Sequence, residues 1–172
     1  INIVNGMLVL PSATGNLDLW AQGSLYLKLI SKESFSRVLA VGSMDAGHFG
    51  TPAAPNHIPT GSWYGAPVSG SQTALTSILH AGDHEPSRFY AVDGDIVAGD
   101  PANKVNTAPF IYVGEQARFR AGRDIVNLNL RAQNSQASDL TLVTAGRDVN
   151  LGRGAISIDG PGFVLVEAGR DV

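Results

Sequence analysis

The sequence predicts an all-β chain wound as a parallel β-helix, a solenoid of ~23–24 residues per rung interrupted by a large loop-rich excursion. Three observations predict it. Ala-Gly-Arg-Asp followed by Ile or Val occurs at Ala121–Ile125, Ala145–Val149 and Ala168–Val172, at nearly constant spacing. A repeat that short cannot hold paired helices or a propeller blade and fits one coil of a stacked solenoid. Each copy also follows a short β-type run: Ala117-Arg118-Phe119-Arg120, Thr141-Leu142-Val143-Thr144 and Val164-Leu165-Val166-Glu167.

Along the chain, Leu17 to Leu27 carries the first strand, small-residue corner and strand, so residues 1–28 read as solenoid. Residues 29–87 hold most of the prolines and Gly/Ser/Ala-rich turns, and read as an excursion with a short helix at Ser71–His80. Loops carried on a rigid scaffold are where binding usually sits. Phe89–Ile96 resumes the rung pattern, and residues 88–172 read as rungs, with a shorter loop at Gly99–Lys104.

Period-2 alternation points Phe119, Val143 and Val166 inward as one column, and Ala117, Thr141 and Val164 as another. Arg118, Arg120, Leu142, Thr144, Leu165 and Glu167 then face outward. The first corner-to-corner spacing is one residue longer than the second, which predicts a β-bulge at Ile125 or Val126.

The corner residues read as structural. Ala121, Ala145 and Ala168 keep the inside of the bend small, and Gly122, Gly146 and Gly169 supply positive φ where the strand turns. Asp124, Asp148 and Asp171 are expected to accept hydrogen bonds from the N–H groups of their own turn. Rungs sit ~4.8 Å apart, so these aspartates stack as a column of like charge. Arg123, Arg147 and Arg170 form an adjacent column of opposite sign that offsets the repulsion.

Composition narrows the function classes. The net charge is -3, and no basic stripe invites nucleic acid. No apolar run approaches the ~20 residues that span a membrane. The absence of cysteine excludes thiol catalysis and disulfide frameworks, and suits export through an oxidising compartment. The chain starts at Ile1 and stops within the third corner, which predicts a fragment of a longer protein.

Site motifs are few. His80-Ala81-Gly82-Asp83-His84-Glu85 has a zinc-like spacing, but Gly82 and Pro86 make it a turn rather than a helix face. Asp93-Gly94-Asp95 lacks the further oxygen ligands of a calcium loop and reads as a corner. No catalytic residue, metal or other cofactor is expected. His57, Trp63 and Tyr64 form the candidate binding loop, because loop aromatics stack on sugars or fill protein pockets.

The Ala-Gly-Arg-Asp-Ile/Val corners resemble those of the filamentous haemagglutinin family of large bacterial surface exoproteins. Leu79-His80-Ala81-Gly82-Asp83, Phe89-Tyr90-Ala91, Gln133-Asn134-Ser135, Ser138-Asp139-Leu140 and Gly160-Pro161-Gly162 are similar to a region in the C-terminal half of very long members. The resemblance covers roughly residues 75–172. It implies a right-handed β-helix, secreted to the bacterial cell surface through an outer-membrane transporter partner. It also implies a role in adhesion to a host or neighbouring cell, or in contact-dependent toxin delivery. The expected function is therefore a structural shaft segment of a secreted adhesin. Two alternatives stand beside it: a β-helix polysaccharide lyase or hydrolase, and a dedicated glycan- or receptor-binding module using residues 29–87.

Overall fold

The computed structural model describes residues 1–3, 7–8, 14–27, 38–41, 49–51, 54–56, 82–99 and 110–172. The predicted helix at Ser71–His80 and most of the Gly99–Lys104 loop lie outside them. Among the described residues there is no helix.

Three five-stranded parallel sheets build a parallel β-helix, each rung giving one strand to each sheet. The first rung holds β1 (Asn2–Ile3), β2 (Met7–Leu8) and β3 (Asp18–Ala21). The second holds β4 (Leu25–Leu27), β5 (Val38–Val41) and β8 (Ser87–Ala91). Between β5 and β8 lies an antiparallel hairpin, β6 (Phe49–Thr51) with β7 (Ala54–Asn56). The third rung is β9 (Ile96–Ala98), β10 (Phe110–Val113) and β11 (Ala117–Ala121). β12 (Ile125–Val126), β13 (Leu130–Gln133) and β14 (Leu140–Ala145) make the fourth. β15 (Val149–Asn150), β16 (Ile156–Asp159) and β17 (Phe163–Ala168) make the fifth.

Val38–Val41 falls within the stretch read as an excursion, yet it pairs in parallel with β2 and β10. Leu25 pairs directly with Ile96, so the whole stretch between them is one rung carrying a long insertion. That insertion opens where the second sheet hands over to the third. The hairpin strand β6 lies beside β16.

The predicted inward column through Phe119 is present; in the second column Ala117 and Thr141 are fully buried, whereas Val164, paired with Thr141 on the fifth rung, is 45% exposed. In the third sheet Phe89 pairs with Phe119, Phe119 with Val143, and Val143 with Val166. The Phe89 and Phe119 rings stack nearly parallel, 3° apart, with centroids 4.4 Å apart. Identical side chains on successive parallel strands meet face to face, so the period-2 pattern becomes a ladder of ring on ring. The corner alanines Ala21, Ala91, Ala121, Ala145 and Ala168 run in one register. Leu25, Ile96, Ile125 and Val149 stack beyond the bend, all buried.

The predicted bulge at Ile125 or Val126 is absent. Ile125 pairs with Val149 and Val126 with Asn150, without a slip. The spacing changes elsewhere. From Val126 to Leu130 the chain advances four positions, and from Asn150 to Ile156 six; from Gln133 to Leu140 it advances seven, and from Asp159 to Phe163 four. Two residues gained at one bend and three lost at the next leave the fifth rung one shorter. Bends absorb length changes because their residues need not keep side chains on a face, whereas a one-residue slip inside a strand would turn its core face to solvent.

Candidate functional site

The repeated corner is a device that joins rungs. Arg123 Nη2 lies 2.7 Å from Asp95 Oδ2, in the corner one rung earlier. Arg147 closes a fork on Asp124, with Nε to Oδ1 at 3.0 Å and Nη2 to Oδ2 at 2.5 Å. Arg170 repeats this on Asp148, with Nε to Oδ1 at 2.8 Å and Nη2 donating to Oδ2. Each aspartate also accepts from the backbone of the following rung: Asp124 N–H donates to Asp95 Oδ1 at 3.1 Å, and Asp148 N–H to Asp124 Oδ1 at 3.2 Å. In the first rung Ser24 Oγ takes the same place and accepts Asp95 N–H at 3.1 Å.

This corrects two expectations. The aspartates serve the next rung rather than their own turn. Nor do the corner glycines sit at positive φ, which among the described glycines belongs to Gly99, Gly152 and Gly160. The corner glycines are needed for close approach instead. A Cβ on Gly146 would fall 2.1 Å from the Gly122 carbonyl oxygen, and one on Gly122 would fall 2.1 Å from that of Val92. The corners stack through their backbones, Gly146 N–H to Ala121 O at 3.0 Å and Arg147 N–H to Arg123 O at 2.9 Å. A side chain there would stand where the neighbouring carbonyl stands.

The ion-pair ladder sets the acidity of its carboxyls. Hydrogen bonding from Arg147 holds Asp124 below the usual carboxylate range, helped by the Asp148 N–H. Arg170 does the same for Asp148.

A second feature lies on the outer face of the third sheet. Trp20 pairs in register with Tyr90, Tyr90 with Arg120, Arg120 with Thr144, and Thr144 with Glu167. Trp20 is 59% exposed, and its ring lies 5.0 Å from that of Tyr90 at a tilt of 55°. The neighbouring outward column runs Asp18, Arg88, Arg118, Leu142, Leu165. Arg88 is occupied, 3.3 Å from Asp18 and 2.5 Å from Glu85. Arg118 and Arg120 are exposed and make no ion pair among the described residues. The aromatic pair is absent from the sequence expectations, although a signal for it was available. Trp20, Tyr90 and Arg120 each immediately precede a corner alanine, the position that alternation turns outward.

The third feature is a buried polar knot where the second sheet hands over to the third. Glu115 is 3% exposed and accepts from Ser87 Oγ at 2.5 Å, which itself accepts from Leu17 N–H at 3.1 Å. With its amide nitrogen turned to the carboxyl, Asn16 donates to Glu115 Oε2 at 2.7 Å and Oε1 at 3.0 Å. Burial pushes the Glu115 carboxyl up to about 8, and Asp83 and Asp18 add to the shift, against the pull of Ser87 and Arg88. Nearby, the described part of the stretch read as a turn, Gly82 to Glu85, is not helical, and Asp83 Oδ1 accepts from Glu85 N–H at 3.0 Å. His84 is exposed, with Nδ1 3.7 Å from the buried Asp139 carboxylate. His80 lies outside the described residues, as do His57, Trp63 and Tyr64 of the candidate binding loop.

No family model matches the chain, and no curated protein or solved structure resembles it within the threshold of the comparison.

Proposed function

We propose that the chain is a shaft segment of a secreted bacterial adhesin, a stiff rod that holds binding or toxin modules away from the cell. The corner ladder carries this reading. Arg and Asp of successive rungs are spent on one another, so the most regular chemistry of the sequence serves axial cohesion. The repeat lets length be added or removed by whole rungs without changing the cross-section. The outer-membrane transporter partner and the cell-surface location belong to the same proposal, on the strength of the corner motifs.

The polysaccharide-cleaving alternative would take its acid from Glu115, since a carboxyl raised toward neutrality can donate a proton. Both oxygens of that carboxyl are engaged by Ser87 and Asn16 and the group is buried, which favours a cohesive role for it.

Removing one whole rung from the parent protein, Gly122 through Ala145, joins Ala121 to Gly146 in register. The shaft reading expects surface display and adhesion to survive in a shortened rod. Cleavage of a polysaccharide by the intact chain, abolished by replacing one carboxylate, would overturn it.

A further inference from the structure

We infer that the outer face of the third sheet binds a uronate-containing polysaccharide along the solenoid axis, at Trp20, Tyr90, Arg118 and Arg120. This goes beyond the shaft reading and does not depend on it. Trp20, Tyr90 and Arg120 follow one another in register, one strand spacing (~4.8 Å) per step. They therefore form a straight ridge parallel to the axis.

A linear polymer suits such a ridge, because its successive units meet successive rungs. Trp20 offers an exposed ring beside the half-buried Tyr90, and aromatic faces take the apolar C–H side of a sugar ring. Beside the pair, Arg120 and Arg118 lie on one strand two positions apart, ~7 Å by strand rise, both pointing outward. A guanidinium presents a planar fork that matches a carboxylate bidentately. The molecule already uses that match in its corners, at Arg147 on Asp124 and Arg170 on Asp148. Arg118 and Arg120 are outward guanidiniums of the third sheet without such a partner among the described residues. An exposed aromatic next to guanidinium forks that are unpaired among the described residues suits a sugar that carries carboxylates.

The test titrates the whole chain with oligogalacturonate, following tryptophan fluorescence and calorimetry. Neutral dextran and dextran sulfate serve as comparison probes. Binding of oligogalacturonate should weaken with added salt and exceed that of neutral dextran by at least about tenfold. Trp20→Ala should abolish the fluorescence response, and Arg118→Gln with Arg120→Gln should weaken binding about tenfold or more. Far-UV spectra should be unchanged, since all three side chains are outside the core. Arg153→Gln, an exposed charge away from this sheet, should bind as the unaltered chain does. Any of three results would overturn the inference: no binding, equal binding of dextran or dextran sulfate, or wild-type affinity in the Trp20 and arginine variants. Capture of a protein in place of the sugar by the same residues would also overturn it.

Discussion

Arg147 reaches past its own corner neighbour Asp148 and closes a two-point fork on Asp124, one rung earlier. The same one-rung offset recurs at Arg123 with Asp95 and at Arg170 with Asp148. Two like-charge columns become one zigzag of alternating sign, because each guanidinium takes the carboxylate of the preceding rung. Corner identity and rung order are thus tied together.

Acid should loosen this ladder. Asp124 and Asp148 are held below the usual carboxylate range in the folded chain. Their contribution is present above the unfolded pKa and is lost as pH falls through the folded one. Thermal midpoints measured from pH 7 downward should drop on the acid side. Asp124→Asn should lower the midpoint at pH 7 and show a shallower acid-side fall.

Gly146→Ala should destabilise more than Arg147→Ala, and Gly146→Val by more than about 3 kcal/mol. The added Cβ meets the Gly122 carbonyl oxygen at 2.1 Å, and backbone cannot give way as a flexible side chain can. Arg147→Ala removes an exposed ion pair, which is worth little in water. Comparable thermal midpoints for the Gly146 and Arg147 variants would contradict the stacked-corner geometry.

Glu115 predicts the opposite pH sense to the corner aspartates. Its folded pKa, about 8, lies above the ordinary value of 4.5. Between those values the folded state keeps a proton that the unfolded chain releases. Stability should fall with rising pH across that window, by up to about 1.4 kcal/mol per unit, and level off above it. Glu115→Gln should remove the slope, which urea unfolding at a series of pH values would reveal.

Thr141→Val should cost about 1–3 kcal/mol although the volume hardly changes. The buried Thr141 hydroxyl accepts from Ala117 N–H at 3.2 Å and donates to Asn134 Oδ1 at 2.8 Å. Valine would strand both groups without water. Equal chemical-denaturation midpoints would show that the hydroxyl is replaceable.

The repeat, and with it the solenoid and its inward columns, was legible in the chain before any folding. Spacing of the Ala-Gly-Arg-Asp corners gives the rung length, and alternation around Phe119, Val143 and Val166 gives the core face, because both depend on local periods that the chain writes directly. The same spacing put the corner charges in adjacent columns.

What crosses between rungs came from the stack. Whether Arg147 meets Asp148 or Asp124 depends on the stacking offset, which no single rung contains. The reason for glycine at position 146 is the carbonyl of Gly122, a full repeat away in sequence, so it could only be misread as a matter of φ. Val38–Val41 joined the solenoid through partners on either side despite an irregular local pattern. Trp20 and Tyr90, distant in sequence, became neighbours because the insertion between β5 and β8 leaves and returns within one rung. Periodicity is a local property and survives in the sequence; contact between rungs is a property of the stack, and exists only once the chain has closed each turn.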